Sequence, residues 1–270
     1  MDLKLGDVQG TALIPLAVRA SESRRKNARI QDPKAVEIME KLQIDPKNLD
    51  RLITHECVVA RSILFDSTVK KLISQYPNAL CLNLGCGLDD RFSRMDNGTI
   101  DWYNIDLPDS IEVRRRVFGE REREHTLSKD IMDENCFQDF PKDRPVIAVA
   151  EGLFMYFSRE QISSVLRSLQ KGFPKGFLAA ELMRQRSMNK KRHDTLRYSR
   201  AEFGWGCENG RELESMNPAF HLLSETNFSD EMQKSTFLSR LIGTLLRKYN
   251  NRLALYQWGR SKPSFCQAEP

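Results

Sequence analysis

The stretch "ALCLNLGCGLDDRF", Ala79 to Phe92, runs from apolar residues into a glycine turn and then into charge. The apolar part reads as a buried strand. Gly85 and Gly87 stand at its carboxyl end, where glycine permits unusual φ values and lets a ligand approach bare backbone. Two classes of ligand use such a turn. The G-x-G-x-x-G fingerprint holds a pyrophosphate, and its third glycine allows close helix–strand packing. Here the third position is Asp90, preceded by Asp89. Two carboxylates at that place disfavour an anionic phosphate, which counts against a nicotinamide-linked oxidoreductase. They suit a cationic ligand such as the sulfonium of S-adenosylmethionine (SAM). A glycine turn with no ligand remains the plain alternative.

The surroundings of this turn alternate between strands and helices. Upstream, residues 1–75 read as a helical cap. "DPKAVEIMEKL" starts a helix with Asp32 as N-cap and Pro33 at the first helical position. A second helical stripe runs from about His55 to Gln75. Downstream, strands are expected at "IDWYNID", "HTLSKD", "PVIAVAEG" and "GFLAAELM". The fourth-strand candidate "PVIAVAEG" is continuously apolar, as a strand buried on both faces is. "FSREQISSVLRSLQKGF" carries a capping box at Ser158 and Gln161 before an amphipathic helix. The pattern is that of an open α/β sheet with helices on both faces. Within one domain it divides into the cap (1–75), a ligand-binding core (76–183), a polar cover insertion (184–235), and a last helix and strand (236–270) ending in "NRLALYQWG".

Ligands on such sheets bind at the carboxyl ends of the strands, which selects the candidate residues. Asp106 ends the second strand about twenty residues beyond the glycines, where a carboxylate can accept from both ribose hydroxyls. Asp130 and Ile131, in "SKDIMD", could meet adenine by hydrogen bond and apolar contact; an N-cap role for Asp130 is the competing reading. Glu151 ends the buried fourth strand, where a carboxylate needs a partner or water, and a cationic ligand would supply one. Tyr156, in "MYF", is a candidate for positioning a substrate, or packs on the following helix.

"LNLGCGLDDRF", "WYNIDLPDSIEVRR", "SKDIMD" and "AEGLFMYFSREQI" together resemble the leucine carboxyl methyltransferase superfamily, in particular its tetracenomycin-type branch of polyketide O-methyltransferases. The resemblance extends to "PLAVRASESRR", "DPKAVEIM", "EFGWGCENGREL" and "LALYQWG". It implies a Rossmann-like, class I SAM-dependent methyltransferase fold, a seven-stranded sheet whose last strand is antiparallel. By motif position Gly85, Cys86 and Gly87 would border SAM, Asp106 with Leu107 would hold its ribose, Asp130 and Ile131 its adenine, and Glu151 would lie beside its methionine part. Arg61, and second to it Arg19, match the basic residues that bind the methionine carboxylate in the family; for both, ion pairing with nearby acids is the competing reading. The implied reaction is O-methylation of a small-molecule carboxylate or hydroxyl. A protein C-terminal carboxylate as acceptor, or SAM binding without catalysis, are the rivals. A hydroxyl acceptor would profit from a base, for which His193 and His221 are available imidazoles.

Composition narrows the field further. The chain has 270 residues and a net charge of +5, far from the footprint of a dedicated nucleic-acid binder. The basic clusters at Arg114–Arg116 and Arg184–Arg192 read as solvated faces. Six cysteines without C-x-x-C spacing suggest neither metal site nor disulfide framework. No signal peptide or transmembrane run is evident, so a cytoplasmic protein acting on a small molecule, away from membranes, is expected.

Overall fold

The computed structural model describes residues 12–119, 121–188 and 202–259. Seven strands form one sheet in the order β3-β2-β1-β4-β5-β7-β6: β1 (Leu80–Leu84), β2 (Asp101–Asp106), β3 (Glu124–Ser128), β4 (Val146–Ala150), β5 (Lys175–Leu182), β6 (Phe220–Asn227) and β7 (Arg252–Gly259). β1 to β5 are parallel, and β7 runs antiparallel between β5 and β6. The chain winds outward from β1 to β3, then returns to place β4 on the other side of β1. The crevice at this reversal opens at the carboxyl ends of β1 and β4.

All five residues of β1 and of β4 are buried, as continuous apolar runs require when both faces are covered. On one face Leu80, Leu82, Val146, Ala148 and Leu178 meet Ile162, Val165, Leu166 and Leu169 of α6 (Arg159–Gly172). On the other, Cys81, Trp102, Ile147 and Phe177 meet Phe65, Val69, Leu72 and Ile73 of α3 (Leu52–Gln75). Ser158 and Gln161 make the expected capping box at α6. The helix α3 has no internal Gly or Pro and stops at Tyr76, because Pro77 disfavours the helical conformation in the residue before it.

The N-terminal cap is α1 (Leu13–Ser23) and α2 (Pro33–Lys41), with α3 behind them. Asp32 caps α2 as expected, accepting from Ala35 N at 2.9 Å. Leu16, Ala17, Ala35 and Ile38 pack on Val113 and Val117 of α5 (Pro108–Val117), so the cap is seated beside β2. The remaining helices are α4 (Arg91–Met95), α7 (Arg211–Met216), α8 (Phe228–Met232) and α9 (Phe237–Leu246).

Two expectations change. Residues 184–235 are more than a cover insertion, because β6 lies within them as the sheet's edge strand. Its sequence "FHLLSETN" hides it: exposure along an edge with a bulge between Leu222 and Ser224 erases the apolar alternation. Arg114 is not on a solvated face. It is buried, pairs with Glu124 at 2.9 Å, and donates to the carbonyls of Gly87 and Asp89 at 3.2 and 2.8 Å. Arg192 and His193 lie outside the described residues. Among the described residues no helix is long and apolar enough to cross a membrane and no metal-binding cluster occurs.

A buried imidazole ties the cap together. His55 of α3 lies 2.8 Å from Glu22 of α1 and 2.9 Å from Asp50. Burial alone would lower its pKa, but the Asp50 and Glu22 carboxylates overcome this and raise it. A raised imidazole stabilises the fold below its usual value of about 6.5, and that contribution fades as pH rises through the folded-state value. In thermal denaturation, the stability advantage of wild type over His55→Gln should therefore be greatest near pH 6 and shrink toward pH 9. An advantage independent of pH would show that His55 is not charged in the folded protein.

Candidate functional site

The glycine turn after β1 adopts the conformation that its residues permit. Gly85 and Gly87 have φ of +63° and +47°. A Cβ on Gly85 would come within 2.7 Å of Leu153, and one on Gly87 within 3.2 Å of Ala12, where the N-terminal cap closes over the turn. The turned backbone points Gly87 N–H at Asp106, whose Oδ2 accepts it at 2.8 Å, while Oδ1 accepts from Leu107 N at 2.8 Å. Burial pushes the Asp106 carboxyl above the usual carboxylate range, against the lowering effect of these two hydrogen bonds.

A cavity of about 890 Å³ opens over the carboxyl ends of the parallel strands. The residues expected in the sequence to meet the cofactor, and Tyr156 with them, all border it. Gly85, Cys86 and Gly87 come from the end of β1, and Asp106 and Leu107 from the end of β2. Asp130 and Ile131 follow β3, Glu151 follows β4, and Tyr156 lies in the short helical turn beyond it. Arg19 reaches in from α1 and Arg61 from α3. Asp130 also accepts from Met132 N at 2.9 Å, so it serves its local turn as well. The Tyr156 ring lies 5.7 Å from that of Phe203. Trp205, by contrast, is core. His221 is exposed on β6 and does not border the cavity. Cys86 is buried, and burial pushes its thiol well above the usual range, consistent with a packing role.

At one end of the cavity lies a set of ion pairs that the sequence did not announce. Arg61 Nε is 2.8 Å from Glu151 and its Nη1 3.2 Å from Glu181. Arg91, 1% exposed, lies 2.5 Å from Glu151, 2.8 Å from Asp66 and 2.9 Å from Asp89. Arg94 is 2.6 Å from Asp66, 3.1 Å from Asp89 and 3.3 Å from Asp32. Arg19 is 2.7 Å from Asp32 and donates to Leu88 O at 3.2 Å. Burial alone would raise the Asp66 and Asp89 carboxyls, but the arginines beside them hold both below the usual range.

This arrangement revises two expectations about charge. The partner that Glu151 needs is supplied by the protein, through Arg61 and Arg91. The two aspartates of the opening motif do not stand side by side at a ligand. Asp89 borders the cavity but is held by arginines, whereas Asp90 turns away to Arg121 at 2.7 Å and Ser93 at 2.8 Å. At this end the cavity is bordered by both signs of charge, Asp89, Glu151 and Glu181 together with Arg19, Arg61 and Arg91.

The residues fit an amino-acid group bearing both charges. Three buried polar atoms here make no hydrogen bond: Arg61 Nε, Arg91 Nη1 and Asp89 Oδ2. Each lies close to an opposite charge, yet none is directed at it. All three belong to side chains that border the cavity, so a ligand carrying an ammonium and a carboxylate would meet both charges at this end. Arg91, Arg94, Asp66 and Glu181 were missed in the sequence, because pairing across distant elements leaves no spacing. The run "DDRFSR" was the nearest signal.

Comparison with known proteins follows the same lines. Residues 12–170 match the family model for leucine carboxyl methyltransferase. The tetracenomycin polyketide synthesis O-methyltransferase TcmP of Streptomyces glaucescens is 30% identical over 84% of this chain and 86% of its own length. The S-adenosyl-L-methionine-dependent methyltransferase dpfgK of Gibberella zeae is 25% identical over 79% of this chain and 80% of its own. Among solved structures, a putative methyltransferase from Thermobifida fusca superimposes with a TM-score of 0.63 at 13% identity, over 92% of this chain and 94% of that one. The fold is that of class I methyltransferases.

Removing one member of a buried ion-pair set strands the others. Arg91→Met should cost about 3–5 kcal/mol of stability and lower the melting temperature by roughly ten degrees. Arg24→Met, which removes an exposed pair with Glu40, should cost less than about 1 kcal/mol. Equal melting temperatures for the two variants would contradict the role assigned to the buried set.

Proposed function

The chain belongs to the leucine carboxyl methyltransferase family, and we propose that it transfers the methyl group of SAM to an oxygen of a small molecule, a carboxylate by preference. The observation that carries this reading is the cavity bordered both by the ends of β1 to β4 and by apolar residues of α3 and α9. SAM supplies a methyl group made electrophilic by its sulfonium.

The residues of the chain bind and orient. Asp106 accepts from the ribose hydroxyls with the lone pairs left by Gly87 and Leu107. Asp130 and Ile131 take the adenine by hydrogen bond and apolar contact. Gly85, Cys86 and Gly87 form the surface against which the cofactor lies. Arg61 receives the methionine carboxylate, supported by Arg19 through the cap, and Glu151 receives the ammonium. Tyr156 borders the space where acceptor and methyl meet. Alignment of acceptor, methyl and sulfur, with water excluded by apolar walls, accounts for several kcal/mol of the barrier.

A base is not needed for a carboxylate, which is ionised at neutral pH with a pKa near 4. No histidine borders the cavity among the described residues, and the Lys129 amine is committed to Cys136 O at 3.0 Å. This favours a carboxylate over a phenol. A peptide C-terminus is the second reading, favoured by the exposed Leu52, Ile53 and Leu245 near the cavity mouth. Methyl transfer to peptides ending in leucine, with none to small aromatic acids, would select it.

Calorimetric titration with SAM tests the assignment. Wild type should bind one equivalent, and Asp106→Asn should bind about tenfold or more weakly through loss of charge-assisted hydrogen bonds. Affinity should fall on acidification as Asp106, with its raised pKa, takes up a proton. No saturable binding to wild type would overturn the proposal.

A further inference from the structure

The glycine turn after β1 is fixed by two side chains of opposite charge. Asp106, which borders the cavity, accepts from Gly87 N. Arg114, which does not border it, serves the carbonyls of the same turn. Its Nη1 donates to Gly87 O at 3.2 Å and to Asp89 O at 2.8 Å. We propose that Arg114 is a positioning residue for the cofactor, holding the turn in the shape against which SAM lies without touching the ligand itself. The proposal rests on the methyltransferase reading above and deepens it by a residue that acts through the backbone of that site.

Arg114 is itself held on several sides. It is buried on α5. Its Nη2 donates to Glu124 Oε1 of β3 at 2.9 Å, and its guanidinium lies 4.1 Å from the centre of the Phe118 ring. The same Glu124 oxygen accepts from Asn104 Nδ2 of β2 at 2.7 Å. Asn104 Oδ1 in turn accepts from Asn83 Nδ2 of β1 and from Trp102 Nε1, both at 3.1 Å. Asn83 and Asn104 are register partners in the parallel sheet. A line of buried polar side chains therefore crosses β1, β2 and β3 and ends, through Arg114, on the turn that follows β1. Apolar residues often replace such buried charges without loss of stability. Here they would leave the two turn carbonyls without their charged donor, which is costly for buried groups.

Arginine suits this place. Its planar fork presents donors in two directions at once, so that one group meets a carboxylate and two carbonyls, whereas a lysine ammonium is a point charge on a flexible stem. The turn needs such a clamp, because its glycines take positive φ here but populate negative φ about as readily. Without Arg114 the binding shape becomes one of several. The apparent affinity of a ligand then falls by the fraction of molecules that hold that shape. Such a loss appears in the association rate, since the ligand once bound makes the same contacts. Loss of a direct contact appears mostly in the dissociation rate.

The test follows binding of S-adenosylhomocysteine (SAH) by calorimetry for affinity and by surface plasmon resonance for rates. Arg114→Met should weaken SAH about tenfold through slower association, with dissociation within about twofold of wild type. Arg114→Lys keeps the charge and part of the donor set, and should recover affinity to within about threefold of wild type. Glu124→Gln removes the charge that anchors Arg114 and should weaken SAH about threefold; it carries the test if Arg114→Met does not fold. Trp258→Phe loses a buried hydrogen bond to Phe173 O and does not border the cavity. It controls for lost stability: its melting temperature should fall while its SAH affinity stays unchanged. The proposal is overturned by unchanged SAH affinity in the folded variants among Arg114→Met and Glu124→Gln. It is equally overturned by a loss carried by faster dissociation, by a lysine variant no better than the methionine one, or by an equal loss in Trp258→Phe. Failure of SAH to bind to wild type would instead count against the methyltransferase reading.

Discussion

The ion pairs among Arg19, Arg61, Arg91 and Arg94 and the five carboxylates around them hold the parts of this molecule in register. They join α1, the N-cap of α2, the middle of α3, the turn after β1, α4, and the ends of β4 and β5. No apolar cluster connects all of these. The main cores lie on the two faces of the sheet, and the cap's own core rests on α5. Leu88 and Val18 give α1 apolar contacts with the turn after β1 and with α3, and the charged set adds directed contacts from the cap to the strand ends. Desolvating so many charges is costly, and a well-packed apolar substitute would often be as stable. Six of the same side chains, Arg19, Arg61, Asp89, Arg91, Glu151 and Glu181, also form one end of the cavity.

The sheet sets the second constraint. Parallel strands place their carboxyl ends along one edge, and the reversal between β1 and β4 parts the loops there. The cavity is bordered by the ends of β1 to β3 on one side and by Glu181 of β5 and Asn251 before β7 on the other. The antiparallel course of β7 matters to this division. It brings the start of that strand, with Asn250 and Asn251, to the edge where the other strands end. Glu181 then links the two sides through one carboxylate, accepting from Gly152 N after β4 and from Asn251 Nδ2 before β7.

Much of this was legible in the sequence, for local reasons. The β1–turn signal is carried by an apolar run and two glycines whose positive φ other residues adopt poorly. Asp32, Ser158 and Gln161 announced their helices because capping is a short-range interaction. Asp106, Asp130 and Glu151, singled out because ligands on such sheets bind at the strand ends, do border the cavity. The residues that escaped are those whose roles depend on distant partners. Arg91 and Arg94 read as ordinary helix charges until Asp66, twenty-odd residues away, lies beside them. Arg114 looked like part of a solvated basic run, yet its neighbours Arg115 and Arg116 fit that description and it does not. β6 lacked alternation because an exposed, bulged edge strand does not need it. Asp89 and Asp90 pointed to the right ligand class for an incomplete reason, since arginines occupy one and the other turns away.

A crystal structure of the protein with SAH tests most directly the claim that the arginine–carboxylate set is an anchor for an amino acid. The ligand's carboxylate should lie against Arg61 and its ammonium against Glu151. Its ribose should meet Asp106 and its adenine Ile131. SAH bound in the reverse direction, with its amino-acid end away from Arg61 and Glu151, would contradict that claim.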